Sequence, residues 1–400
     1  MKKIFLITLI ASLFVFTSCQ DAIYEAIRED VKPEEPTVSG NIGSITRYTA
    51  SGIEFLVLAA DNGLRYKLKD DNSHGAWSTY PLPFSLHTFD FDSSSHVGEQ
   101  LITVLADSKY LYILSAAYDH TNVEGISYPS NIKLWGKLIT ASGDEWDESG
   151  DWTLIIENDD DFFPVYVTTS EYYSTAFKVF QTNSPMKAHR AAFVRSLNYE
   201  DTGYKYYCLN GLSKPVEVTV ADSDIIDPEP STDEDYLCGA LSAVYFNGEI
   251  KFFTSPAATT NETYTKEASC YYYTNSDEKL YWSDGTSVST LECNSIITAL
   301  ATTADSVLIG YGNPSRSSGG IDRASIFEDG KPKDTIDFET NAKFQITSSY
   351  IVLTLLNATP DQKELDSALY ASITFTGGSY NFDNIGLWSY YPERENWNRE

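Results

Sequence analysis

The chain has 400 residues, 42% of them hydrophobic, and a formal net charge of −29. Such a charge repels polyphosphates and anionic bilayers alike, so nucleic-acid binding is disfavoured and an anionic bilayer is avoided unless something covalent holds the protein there. The aromatic complement of 28 Tyr, 20 Phe and 7 Trp favours strands over helices.

Lys2 and Lys3 form a basic n-region, followed by a short apolar stretch from Ile4 to Phe16. That stretch is too short to span a bilayer as a helix, so residues 1–18 read as a signal peptide. Thr17-Ser18-Cys19, ahead of Gln20, resembles the lipobox of bacterial lipoproteins, with Phe16 where that family has Leu, Val or Ile. The resemblance implies that Cys19 is acylated, with palmitate among its chains, and becomes the new N-terminus. It also implies a place in the cell envelope, at the outer membrane or cell surface. Two or three acyl chains anchor firmly, at roughly 0.8 kcal/mol per buried methylene. The competing reading is ordinary secretion, with Cys19 a bystander. Residues 19–40 then form an acidic, proline-bearing tether, and the folded domain spans 41–400.

From there the chain reads as strands in groups of four. Ile53–Leu68 is the clearest unit: Phe55 to Ala60 is an apolar run suited to a strand buried on both faces. Asp61-Asn62-Gly63 is a turn, and the return strand alternates, Leu64, Tyr66 and Leu68 on one side, Arg65 and Lys67 on the other. Ala106-Asp107-Ser108 and Ala304-Asp305-Ser306 repeat a turn between two strands. Second strands recur near residues 55, 110, 176, 250, 306 and 351. Four strands at such a period, with no helix between, predict an all-β β-propeller of six four-stranded blades. Tandem β-sandwich domains are the alternative, but they call for one apolar face per strand. Asp61-Asn62-Gly63-Leu64-x-Tyr66, echoed by Gly319-Gly320-Ile321-x-Arg323, resembles repeats of sensor-type bacterial propellers, which implies the fold and carries no activity with it.

No nucleophile elbow, metalloprotease helix, phosphate loop or dinucleotide fingerprint occurs. No cofactor is expected. Asp159, Asp160 and Asp161 are the acidic candidates for a cation, with a solvated loop as the bland reading. Cys208, Cys238, Cys270 and Cys293 allow two disulfides in an exported chain, and chain-neighbouring pairs are expected, Cys208 with Cys238 and Cys270 with Cys293. Free buried thiols are the alternative. Function is expected on the loops after the second strands, which vary from a three-residue turn to stretches such as Tyr118–Ser130. The predicted binding face therefore carries Tyr118, His120, Tyr128, Tyr264, Arg316 and Asp361. The expectation is a binding or scaffold module for a protein or glycan. The alternatives are a carbohydrate-active propeller enzyme and a structural subunit of an envelope assembly.

Overall fold

β1 (Ile42–Ala50), β2 (Ile53–Ala60), β3 (Gly63–Leu68) and β4 (Ser78–Tyr80) form an antiparallel sheet in chain order. Gly63 adopts φ +119°, which lets β2 turn straight into β3 with Ala60 opposite Gly63. Phe55 to Ala60 are all buried, so both faces of β2 are covered. A sandwich strand buries one face only; a propeller blade, packed between two neighbours, buries both.

This computed structural model describes residues 37–71, 77–90, 95–107, 109–123, 126–157, 178–181, 191–196, 204–218, 225–226, 240–246, 249–255, 265–266, 269–273, 278–283, 288–293, 295–303, 305–312, 319–327, 331–338, 350–359, 365, 368–375, 385–393 and 396–400. A ribbon, β5 (Thr88–Asp90) with β6 (Ser95–Val97), leads to the second sheet. That sheet is built from β7 (Glu99–Ala106), β8 (Leu111–Val123), β9 (Ile126–Lys137) and β12 (Thr153–Glu157), with the small ribbon β10 (Ala141–Ser142) and β11 (Glu145–Trp146) inserted before β12. The third contains β13 (Lys178–Gln181), β14 (Ala191–Ser196), β15 (Tyr204–Asn210) and β16 (Ser213–Val218). The fourth has three described strands, β17 (Ile225–Ile226), β18 (Ala240–Phe246) and β19 (Glu249–Ser255), with β17 parallel to β19. The fifth comprises β20 (Thr265–Lys266), β21 (Ser269–Tyr273), β22 (Lys279–Ser283) and β23 (Val288–Glu292). The sixth follows as β24 (Ile297–Thr302), β25 (Ser306–Gly312), β26 (Gly319–Ile326) and β27 (Pro332–Asp337). The last is β28 (Tyr350–Asn357), β29 (Leu369–Phe375), β30 (Gly386–Tyr391) and β31 (Asn396–Arg399).

Thr37–Glu400 is one compact unit in which each sheet packs against the next and the seventh packs against the first. The all-β propeller expectation holds; the grouping differs. The fourth expected repeat, residues 240–282, divides into two sheets, because β19 and β21 never pair and β20 starts a new ladder. The third and the last repeats also shift by one strand: the strand expected second near residue 176 is β13, the first described strand of its sheet. Ile351–Leu356, expected second, is the first described strand of its sheet, and β31 completes it.

Four first strands carry a register shift, at Gly43, Ile102, Thr298 and Leu353. A bulge adds local twist and lets neighbouring first strands meet closely. A Cβ on Gly43 would lie 1.9 Å from the Ile102 carbonyl oxygen, so only glycine fits there. Beside it Ser44 Oγ donates to Val104 O at 3.0 Å and accepts from Val104 N at 2.8 Å. Thr298 Oγ1 likewise donates to Val352 O at 2.6 Å, joining the sixth sheet to the seventh.

Two seams are closed in different ways. Between the first and second sheets, residues 138–152 form a strap holding Trp146 among aromatic rings. Its indole stacks on Tyr66 at 4.3 Å and meets the edges of Tyr48, Phe55 and Tyr80. Three tyrosine hydroxyls of the first sheet hold the strap's backbone. Ile139 N donates to Tyr48 Oη, Trp146 N donates to Tyr66 Oη, and Tyr80 Oη donates to Asp147 O.

The seventh-to-first seam instead buries an ion pair. Lys67 Nζ lies 3.7 Å from Glu400 Oε2, both side chains fully covered. Lys67 Nζ donates to Tyr391 Oη at 3.0 Å and lies over the rings of Trp77, Tyr370 and Tyr391. Glu400 accepts from Trp77 Nε1 at 2.7 Å, from Tyr391 Oη at 3.3 Å and from the Ser389 hydroxyl. Lys67, expected on the polar side of its strand, is therefore a core residue.

Candidate functional site

β8 and β9 have 13 and 12 residues, and the other described strands have nine or fewer. Pairing with β7 ends at Glu99 opposite Ala117, and pairing with β12 ends at Glu157 opposite Lys133. Beyond those points β8 and β9 pair with each other, through Thr121 with Tyr128, Asn122 with Ser127 and Val123 with Ile126. The expected insertion loop at 118–130 is thus an arm of β-structure. Polar side chains and Pro129 made it read as a loop. Proline does remove a ladder donor here, and the register slips between Ala117 and Thr121 across the strand from it. Asn131, at the arm's base, sits at φ +50°. Tyr118 and His120 on β8 and Tyr128 on β9 are brought into this one element. Tyr264, Arg316, Asp361, Asp159, Asp160, Asp161, Cys238 and Cys19 lie outside the described residues.

A polar network sits where the arm leaves the sheet. Lys133 Nζ donates to Glu99 Oε1 at 2.6 Å and lies 3.5 Å from Glu157 Oε1. Ser115 Oγ donates to Glu99 Oε2 at 2.6 Å and accepts from Trp135 Nε1 at 3.1 Å. Burial alone would lower the Lys133 ammonium, but Glu99, by hydrogen bond and charge, and then Glu157 hold it above its ordinary value. Glu99 and Lys133 side chains are 15% exposed and Glu157 48%, so the network opens to solvent at one end.

Lys133 and Trp135 alternate along β9 and face the same side. The Trp135 ring lies 6.4 Å from Phe84, and its cross-strand partner Leu154 is 40% exposed. A fixed, partly open aromatic ring therefore stands beside a row of charged hydrogen-bonding groups. Both carboxylates are engaged by one ammonium, which suits recognition better than proton transfer. Sequence reasoning missed these residues because Glu99, Ser115, Lys133, Trp135 and Glu157 come together only through strand pairing.

The bridge expected between Cys270 and Cys293 is absent, and the Cys293 thiol donates instead to the Leu291 carbonyl at 3.6 Å. β22 lies between β21, which carries Cys270, and β23, which ends just before Cys293. Two strand spacings are about 10 Å, beyond disulfide reach. Cys208 lies on β15, opposite Ala192. Among the described residues no three His, Cys, Asp or Glu side chains converge as a metal site.

No family model matches the chain, and no curated protein matches it. Several solved structures align over most of its length. A complex of BBS1N with ARL6DN, soaked with mercury, gives a TM-score of 0.36 at 10% identity, covering 90% of this chain and 95% of that one. A glycosyl hydrolase from Bacteroides ovatus gives 0.33 at 10% identity, covering 91% of each. An inulosucrase from Halalkalicoccus jeotgali, bound to kestose, gives 0.35 at 10% identity, covering 76% of this chain and 93% of that one. TM-scores this low carry no activity, ligand or partner over to this chain.

Proposed function

We propose that this chain is a lipid-anchored, extracytoplasmic binding module, tethered through acylated Cys19 and meeting its partner with the second sheet. The leader and lipobox-like residues motivate the anchor, and at −29 the protein needs a covalent attachment to stay at a membrane. The observation behind the binding role is the arm. The central strands of the second sheet run past both flanking strands, and the polar and aromatic residues at its base open to solvent. Projections from a rigid frame are where such scaffolds acquire partners.

Replacing residues 119–130 by an Asp-Asn-Gly turn tests this reading. Melting and strand content stay near wild type, while capture of envelope components by the acylated protein is lost. Capture that survives the replacement places the binding surface elsewhere. The anchor is tested separately by mass spectrometry of the mature protein. Diacylglyceryl on an N-terminal Cys19 is expected, and an unmodified N-terminus downstream of residue 19 ends the lipoprotein reading.

A further inference from the structure

We infer that the face formed by Trp135, Phe84, Leu154, Glu99 and Lys133 is a docking site for a neutral saccharide. The inference rests on the reading of the second sheet as the binding surface and names its ligand class. A sugar ring offers an apolar C–H face and a rim of hydroxyls that both donate and accept. The site offers the complement of each. Trp135 is partly buried and its indole nitrogen is tied to Ser115, so the ring is held in place. Phe84, partly buried against the core between the first and second sheets, and the exposed Leu154 extend the apolar surface beside it. On the same face of the sheet the Glu99 carboxylate accepts and the Lys133 ammonium donates, while Ser115 donates to Glu99.

Charge narrows the class. A protein at −29 repels sulfated and uronic glycans. A basic peptide calls for an unpaired carboxylate, and here Glu99 and Glu157 already share Lys133. Hydroxyl groups, by contrast, hydrogen-bond to a satisfied ion pair without having to break it. An aromatic platform beside a few fixed polar groups is the usual composition of a specific small-ligand site.

The test uses the full acylated chain in detergent, applied to a printed array of neutral, sialylated and sulfated glycans. Binding confined to neutral glycans is expected. With the strongest neutral array ligand as titrant, Trp135→Ala weakens affinity about tenfold or more and Trp135→Phe weakens it less. Because Trp135→Ala also touches packing, Leu154→Glu serves as the second variant: it alters an exposed position and blocks the site while melting is unchanged. Binding of no neutral glycan, a preference for sulfated ones, or affinity unmoved by Leu154→Glu overturns the inference. Envelope capture that depends on the arm, with no glycan bound, leaves the binding-module reading standing and ends this one. Loss of both ends both.

Discussion

The seam between the first and second sheets and the seam between the seventh and first join neighbouring blades with opposite chemistry. The former is mainly aromatic, with Trp146 in a strap held by tyrosine hydroxyls and the Lys137 ammonium donating to the Gly150 carbonyl. The latter places an ammonium and a carboxylate where water does not reach. Aromatic burial stabilises in proportion to the area removed from water. A buried ion pair largely offsets its own desolvation, so it specifies which surfaces meet more than it adds stability. The comparison teaches that the cost of a substitution follows volume at one seam and charge at the other.

The largest effect is expected at the ionic seam. Glu400→Ala leaves a buried ammonium unpaired and three donors without their acceptor, which costs about 4 to 5 kcal/mol by urea unfolding. Lys67→Met keeps those three donors on the carboxylate but leaves its charge uncompensated, and costs about 3 kcal/mol. Equal costs for the two would contradict the hydrogen-bonding asymmetry around Glu400. Trp146→Ala is expected to cost about 3 to 5 kcal/mol, and Trp146→Phe about half as much, since the cost there follows volume. A Trp146→Phe protein as unstable as Trp146→Ala would show that the strap's backbone, not the ring, closes that seam.

A smaller effect comes from pH. Burial first, and then Asp107 and Tyr110, raise Tyr48 to about 12 against the hydrogen bond with Ile139, which lowers it, and burial raises Tyr350 to about 12 as well. Both hydroxyls are neutral in the folded protein and ionise more easily once exposed. Their contribution is therefore complete below about pH 10 and is lost as pH rises through 12. Near-ultraviolet circular dichroism should be flat from pH 7 to 10 and collapse above that. Tyr48→Phe should cost about 1 kcal/mol at neutral pH through the lost strap bond, and make the alkaline slope shallower. An unchanged slope would remove Tyr48 from this account.

Much of the frame was legible from residues alone. Asp61-Asn62-Gly63 turns as read, and Asp107 caps its own turn, accepting from Lys109 N and Tyr110 N. Short-range chemistry is enough for such features. The division of the fourth repeat was not legible, because β17 and β20 are two residues each and leave no periodicity. Lys67 looked solvent-facing because alternation marks the two faces of a strand but cannot tell that both are covered. The arm read as a loop for its Pro129, and the Glu99–Lys133–Glu157 network joins residues whose nearness is a product of pairing.

The central claim is that the second sheet, beside its seam with the first, meets the partner. Hydroxyl-radical footprinting tests it most directly, comparing the purified acylated protein with the same protein in its envelope. Loss of labelling at Trp135, Tyr118 and Tyr128, with Tyr390 of the seventh sheet unchanged, is the predicted result. Protection at Tyr390 with full labelling of Trp135 and the arm would contradict it.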